Sequence, residues 1–265
     1  MVGRVRLEYR NVTMRFVDSN GNRLTAVQDV SFSIHDREVV ALIGPSGCGK
    51  STLLNIGSGL TTPSDGAAFV DGELVQAPNA HVAFMLQKDL LLPWRTILQN
   101  VMFGVEIQRV AATERKRRAT ALLKNLGLGE FFNHYPHQLS GGMRQRAALA
   151  RTLAVDPTVL LLDEPFSAVD AQTRMMLQLE LAQTLKREAK TALLITHDLL
   201  EAVTLSDRVL VMSNRPGRII DEMSIKLPER DNPISRRREP RVNEYVDVLM
   251  QRLGLEAPTD SRESV

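Results

Sequence analysis

The sequence predicts an α/β fold built on a mainly parallel sheet. Two observations carry that reading. Compact apolar runs at 38–43 (EVVALI) and 159–162 (VLLL) have the unbroken hydrophobicity of strands buried on both faces. Each is followed by a helical stretch, at 50–56 and 171–188, and the alternation continues with a strand at 192–196, a helix at 199–204 and a strand at 208–212. Strands that alternate with helices in this way pair in parallel.

The remaining elements depart from that rhythm. The first forty residues read as short β segments at 4–9, 12–16 and 30–34, with the polar stretch Asp18-Ser19-Asn20-Gly21-Asn22 between them as a hairpin turn or loop. From Thr96 to about Ala154 the pattern is helical, broken at Gly127, Gly129 and Pro136, which predicts a helical insertion into the core. Beyond Leu227 the chain turns rich in Pro and Arg, with a basic run at Arg236-Arg237-Arg238 that reads as a solvated linker or, alternatively, a contact for anionic lipid. A helix at 242–253 and a frayed polar tail at 257–265 complete the reading. The expected division is therefore one domain over 1–227, with its helical insertion at about 96–154, and a short extension over 228–265.

Composition excludes several classes. No apolar run approaches the roughly 18 residues that cross a bilayer. Residues 1–10 carry charges throughout and show no apolar signal region. The single cysteine, Cys48, has no internal partner for a disulfide, which fits a reducing compartment. With 33 Lys+Arg against 31 Asp+Glu the net charge is +2, too even to argue for a nucleic-acid partner.

Chemistry enters with the motifs. Gly44-Pro45-Ser46-Gly47-Cys48-Gly49-Lys50-Ser51 matches G-x-x-x-x-G-K-[ST] between a predicted strand and a predicted helix. Phosphates need many N–H donors at close range, and glycine lets the backbone approach without a Cβ in the way. The helix beginning at Lys50, with Thr52 in its first turn, adds orphan N–H groups and the positive end of its dipole. Lys50 would reach the β- and γ-phosphates of a bound triphosphate and Ser51 would ligate Mg²⁺. Cys48 fills a variable slot of the loop. The strand at 159–162 ends in Asp163-Glu164-Pro165: Asp163 suits the Mg²⁺ shell, and Glu164, pointing differently, is the candidate general base that polarises a water. Ser140-Gly141-Gly142 opens another helix, and its small residues and free N–H groups make a second anion-accepting helix start, though a merely capped helix would look the same in isolation.

Taken together and in this order, the loop at 44–51, Leu139-Ser140-Gly141-Gly142, the Asp163-Glu164 pair and His197 resemble the nucleotide-binding subunit of an ATP-binding-cassette (ABC) transporter, over roughly residues 5–225. The resemblance implies a P-loop NTPase (RecA-like) α/β core with an N-terminal antiparallel β subdomain and an inserted α-helical subdomain. It implies ATP and Mg²⁺ as ligands. It makes Gln87 the Q-loop glutamine that contacts Mg²⁺ and the attacking water, Ser167-Ala168-Val169-Asp170 the D-loop, His197 the switch histidine and Phe16 the aromatic that stacks on adenine; on its own, Phe16 would read as core. It also implies a head-to-tail homodimer, with ATP on one cassette covered by Ser140, Gly141 and Gly142 of the other.

Leu91-Leu92-Pro93-Trp94, the Met143-Arg144-Gln145-Arg146 continuation and Arg215-Pro216-Gly217-Arg218-Ile219 are similar to the nitrate/sulfonate/taurine group of importers. That implies an oxyanion importer at the cytoplasmic face of a bacterial inner membrane, with permease subunits meeting the Q-loop region near Trp94 and a substrate-binding protein acting indirectly. Arg37, Val169 and the Met85-Leu86 pair before Gln87 (commonly Val-Phe) depart from the commoner family residues, though none of these falls on a phosphate or metal ligand. An exporter or lipid-trafficking cassette, or an ABC ATPase outside transport, stays open at this stage.

Overall fold

In the computed structural model, which describes residues 3–17, 21–167 and 169–255, two sheets and eight α-helices surround the region to which those motifs point. Three expectations fall wholly or partly outside the described residues: the polar turn at Asp18-Ser19-Asn20, Ala168 of the D-loop, and the tail at 257–265.

The smaller sheet is antiparallel, in the order β2-β1-β4-β5. Its first strand, β1 (Val5–Val17), is continuous where the sequence suggested two pieces, and β2 (Arg23–His35) is far longer than the expected 30–34. The reason is a bulge. Asn11 takes a left-handed backbone (φ +49) and the β1–β2 register shifts between Tyr9 and Val12, so polar Arg10-Asn11 interrupts the side-chain alternation without ending the ladder. Asn11 also donates its amide to Asp29 Oδ1 and its backbone N–H to Ser31 Oγ, which replaces the missing ladder bonds. β4 (Asp65–Val70) and β5 (Glu73–Leu74) finish this sheet.

The larger sheet runs β10-β9-β3-β8-β7-β6, with β3 (Val39–Ile43), β6 (Val82–Met85), β7 (Val159–Asp163), β8 (Thr191–Ile195) and β9 (Arg208–Met212) parallel, and β10 (Ile219–Ser224) antiparallel on one edge. Every residue of β3, β7 and β8 is buried, at roughly 1.5–3 kcal/mol for each large aliphatic side chain. One face packs against β1, β2 and α1 (Lys50–Gly57), where Tyr9 stacks on Phe32 at 4.6 Å. The other meets α2 (Ile97–Ile107), α3 (Ala112–Asn125), α4 (Gly141–Ala154) and α5 (Ala171–Arg187). A third cluster joins β3 and β9 to α6 (Leu199–Leu205) and α8 (Arg241–Arg252).

The basic run does not behave as a solvated linker. α7 (Pro233–Arg236) carries Arg236 into the interior at 2% exposure, where its guanidinium donates to the carbonyl oxygens of Thr204, Ser206, Leu227 and Pro228. Those carbonyls lie at the end of α6 and in the chain leaving β10, where no helix or ladder partner reaches them. Arg237 donates to Gln178 Oε1 at 2.8 Å. Local composition carried no sign of these distant acceptors.

Because the five parallel strands point the same way, their carboxyl ends release five loops along one edge: 44–49 after β3, Gln87 after β6, 164–167 after β7, 196–198 after β8 and 213–218 after β9. In open α/β sheets that edge is where ligands bind.

Candidate functional site

The loop leaving β3 has a geometry that its glycines enable. At Gly49 (φ +104) an added Cβ would stand 2.3 Å from Val27 Cγ1, so no other residue fits against β2. Gly49 is also the N-cap of α1, and no side chain caps that helix start. By contrast Thr96, Ser140, Asp170 and Asp198 each cap their own helices through a side-chain oxygen. The first N–H groups of α1 are thus left for another acceptor. Lys50 Nζ donates to Gly44 O (2.8 Å) and Pro45 O (2.9 Å), folded over its own loop, while Cys48 is buried beneath. A pocket of about 280 Å³ opens above the loop, lined by Phe16, Ser46, Lys50, Ser51 and Thr52 among others, with Glu164 on its far wall. Phe16 is half exposed on its wall, where a planar ligand can reach its ring.

β7 ends at Asp163, which is buried. Desolvation raises its pKa, and the Glu164 charge adds to that, while the Ser51 hydroxyl and Lys50 oppose it. An anion in this position favours an added cation. Glu164 turns away through a left-handed backbone (φ +45), with its N–H donating to Ile195 O at 3.0 Å, so adjacent carboxylates on one strand serve different spaces. Two groups from other strands converge on Glu164 Oε2: Gln87 Nε2 donates at 3.1 Å, and His197 Nδ1 lies at 3.3 Å. The chain therefore brings Gln87, Glu164 and His197 together beside Lys50, Ser51 and Asp163. It does not bring Ser140, Gly141 and Gly142 there. Ser140 accepts the Met143 N–H as the α4 cap, and Gly141 borders a separate cavity of about 720 Å³ with Gln87, Asp89 and Arg144.

Residues 27–167 match the ABC transporter family. The chain belongs to that family. This cassette binds ATP and hydrolyses it. It is 46% identical to an uncharacterized ABC transporter ATP-binding protein of Methanocaldococcus jannaschii over 84% of each chain. It is 46% identical to the taurine import ATP-binding protein TauB of Yersinia pestis over 77% of this chain and 80% of that one, and 42% identical to the nitrate import ATP-binding protein NrtD of Synechocystis sp. over 92% and 93%. Among solved structures, the dimeric post-hydrolysis state of the cassette MJ0796 bound to ADP and Pi superimposes with a TM-score of 0.75 at 30% identity, over 83% of this chain and 99% of that one.

Two further features of the cassette are structural. The segment between Gln87 and α2 is folded around the buried Asn100, whose side chain donates to the carbonyls of Leu92, Arg95 and Thr96 and accepts the Leu92 N–H. Arg151 donates to Asp89 O and Leu90 O from the opposite side. This holds Trp94 outward at 71% exposure, and Leu90 of the same segment is half-exposed. No helix among the described residues is long and apolar enough to cross a membrane.

Sequence reasoning read Arg215 only as part of a subfamily run and did not single out Glu201, and both lie near the site. Arg215 stands in the same pocket as Lys50. Its signal was the strand order: β9 adjoins β3, so the loop after β9 must emerge beside the loop after β3. Glu201, 4% exposed in α6, accepts from Gln178 Nε2 at 3.1 Å and from the Thr196 hydroxyl directly before His197. No local pattern separated it from an ordinary solvated helix glutamate.

Proposed function

We propose that this cassette is the subunit that energises an importer of a small anion of the taurine, sulfonate or nitrate kind, working as a head-to-tail pair. The observation that carries the catalytic part is the convergence of Gln87 and His197 on one oxygen of Glu164, at the edge of the pocket holding Lys50. A carboxylate held by an amide N–H on one side and an imidazole on the other keeps a fixed direction, which a general base requires. Glu164 takes the proton of the attacking water. His197 and Gln87 orient that carboxylate and the water.

Lys50 and the N–H groups of 47–52 hold the phosphates, exchanging the Gly44 and Pro45 carbonyls for phosphate oxygens. Phe16 stacks on the adenine. Ser51, Asp163 and Gln87 supply an oxygen-donor set that fits Mg²⁺, a hard cation usually held by one or two carboxylates plus phosphates. Bound there, Mg²⁺ would neutralise charge developing on the phosphates. The raised pKa of Asp163 supports this, because a buried carboxylate lacking full compensation gains most from a cation.

Ser140, Gly141 and Gly142 sit away from the pocket of their own chain, which supports their closing the pocket of a second copy. Trp94, held outward on a folded loop, suits a membrane-embedded permease, which would place the cassette at the cytoplasmic face of a bacterial inner membrane. The names of the taurine and nitrate relatives support import and the anion class. Residues 1–227 would form the ATPase domain with its helical insertion at about 96–154, and 228–265 an extension.

The test is ATP turnover of the cassette co-purified with its permease in lipid, with its binding protein and taurine, alkanesulfonates or nitrate added in turn. Stimulation by one of them establishes import and substrate together. Turnover unchanged by all of them removes the oxyanion reading and leaves the ATPase.

A further inference from the structure

The roles above leave Arg215 without an assignment, though it is the second cation lining the pocket. Its loop is anchored at the base. Gly217 N–H donates to Ala26 O and Gln28 N–H donates to Gly217 O, both at 2.9 Å, and Gly217 lies so close to the phosphate loop that a Cβ there would stand 2.0 Å from Cys48 O. From this base the Arg215 side chain crosses to the loop and donates twice to Gly47 O, from Nε at 3.0 Å and Nη2 at 2.8 Å.

That contact fixes a direction. In a planar trans peptide the C=O and the next N–H point oppositely. Holding Gly47 O toward the guanidinium therefore turns the Cys48 N–H inward, where it meets only Pro45 O at a long 3.3 Å. A phosphate oxygen can replace so weak an acceptor. Gly47 has φ +76, a conformation glycine visits freely among several others, so this peptide needs an external constraint to stay in one orientation.

We propose that Arg215 is a positioning residue of the nucleotide site: it clamps the Gly47–Cys48 peptide so that the phosphate cradle is preformed, and it adds positive charge beside Lys50 for the polyphosphate of a nucleoside di- or triphosphate. Preorganised donors bind more tightly because their ordering is complete before the ligand arrives. Adenosine, which has no phosphate, gains nothing from the clamp.

The proposal rests on the reading of 44–51 as the phosphate loop, and Lys50→Ala tests that reading separately. Binding of ATP, ADP and adenosine to the intact cassette, by calorimetry, is compared for the parent, Arg215→Ala, Arg215→Lys and Lys50→Ala, alongside melting temperature. Loss of the clamp and of one positive charge beside the phosphates predicts roughly tenfold weaker ATP and ADP binding for Arg215→Ala. Adenosine affinity and melting temperature should stay at the parent values. Arg215→Lys should restore part of the affinity, since it keeps the charge but not the two-pronged contact. Unchanged ATP and ADP affinity in Arg215→Ala overturns the proposal, as does an equal loss for adenosine or a fall in melting temperature without a loss specific to phosphates. If Lys50→Ala itself binds ATP like the parent, the phosphate-loop reading fails instead.

Discussion

Glu201 should make this cassette lose stability as pH rises, and its removal should flatten that loss. Burial is the largest cause that pushes its carboxyl up to about 7, helped by the Asp198 charge, while bonds from Thr196 and Gln178 and the Arg174 charge pull the other way. An acid whose folded pKa lies above its unfolded value of about 4.5 keeps its proton longer in the native state. Below about pH 4.5 both states are protonated and nothing is lost; between about 4.5 and 7 the native state alone holds the proton, so stability falls with rising pH until the folded carboxyl ionises. Integrated from pH 5 to pH 8, the two pKa values give a loss of about 2–3 kcal/mol attributable to this one group. Glu201→Gln cannot ionise. Urea unfolding of both proteins at several pH values should show the stability difference between variant and parent drifting by that amount in the variant's favour toward pH 8. A constant offset between the two, from a lost or rearranged bond to Gln178, does not matter; only the drift does. Parallel curves, with a drift under about 0.5 kcal/mol, would refute a buried protonated Glu201.

Other expectations follow from single contacts. Glu164→Gln keeps the Gln87 contact geometry but removes the base, so hydrolysis should fall by at least about a hundredfold while ATP binding persists, as read by turnover and by calorimetry. At Gly57, alanine gains up to about 1 kcal/mol of helix propensity, yet its Cβ would stand 2.2 Å from the buried Tyr9 Oη, which donates to Leu53 O. Overpacking of roughly 1–3 kcal/mol wins, so Gly57→Ala should unfold at lower urea. Arg236→Met leaves four carbonyls without their donor, and a loss of about 3 kcal/mol or more is expected in thermal or urea unfolding.

Much of the site was legible because its residues are contiguous. The phosphate loop and Asp163-Glu164 each follow an apolar strand, and strand plus motif fix both type and place. Gln87 and Phe16 carried no such local signature; only the ordered set of other motifs gave them roles, and the coordinates then place both at the pocket or on Glu164. β6 is an apolar run of only four residues, too short to separate from a loop, and β10 alternates half-buried with exposed positions and produces no apolar run. Arg215, Glu201 and Arg236 depend on partners brought by the sheet order or by the packing of α6 and α7, 168 residues away in the case of Gly47. A linear pattern does not encode such distances.

The loop wound around Asn100 has a kinetic consequence. Fixing a backbone residue costs roughly 1–2 kcal/mol of conformational entropy, so the handful of residues around Trp94 represents several kcal/mol already settled when the cassette folds. A partner that grips Trp94 meets a rigid knob, with no waiting for a loop to order. Association can then run close to the rate set by diffusion and orientation, and motion of the knob passes to α2 with little slack.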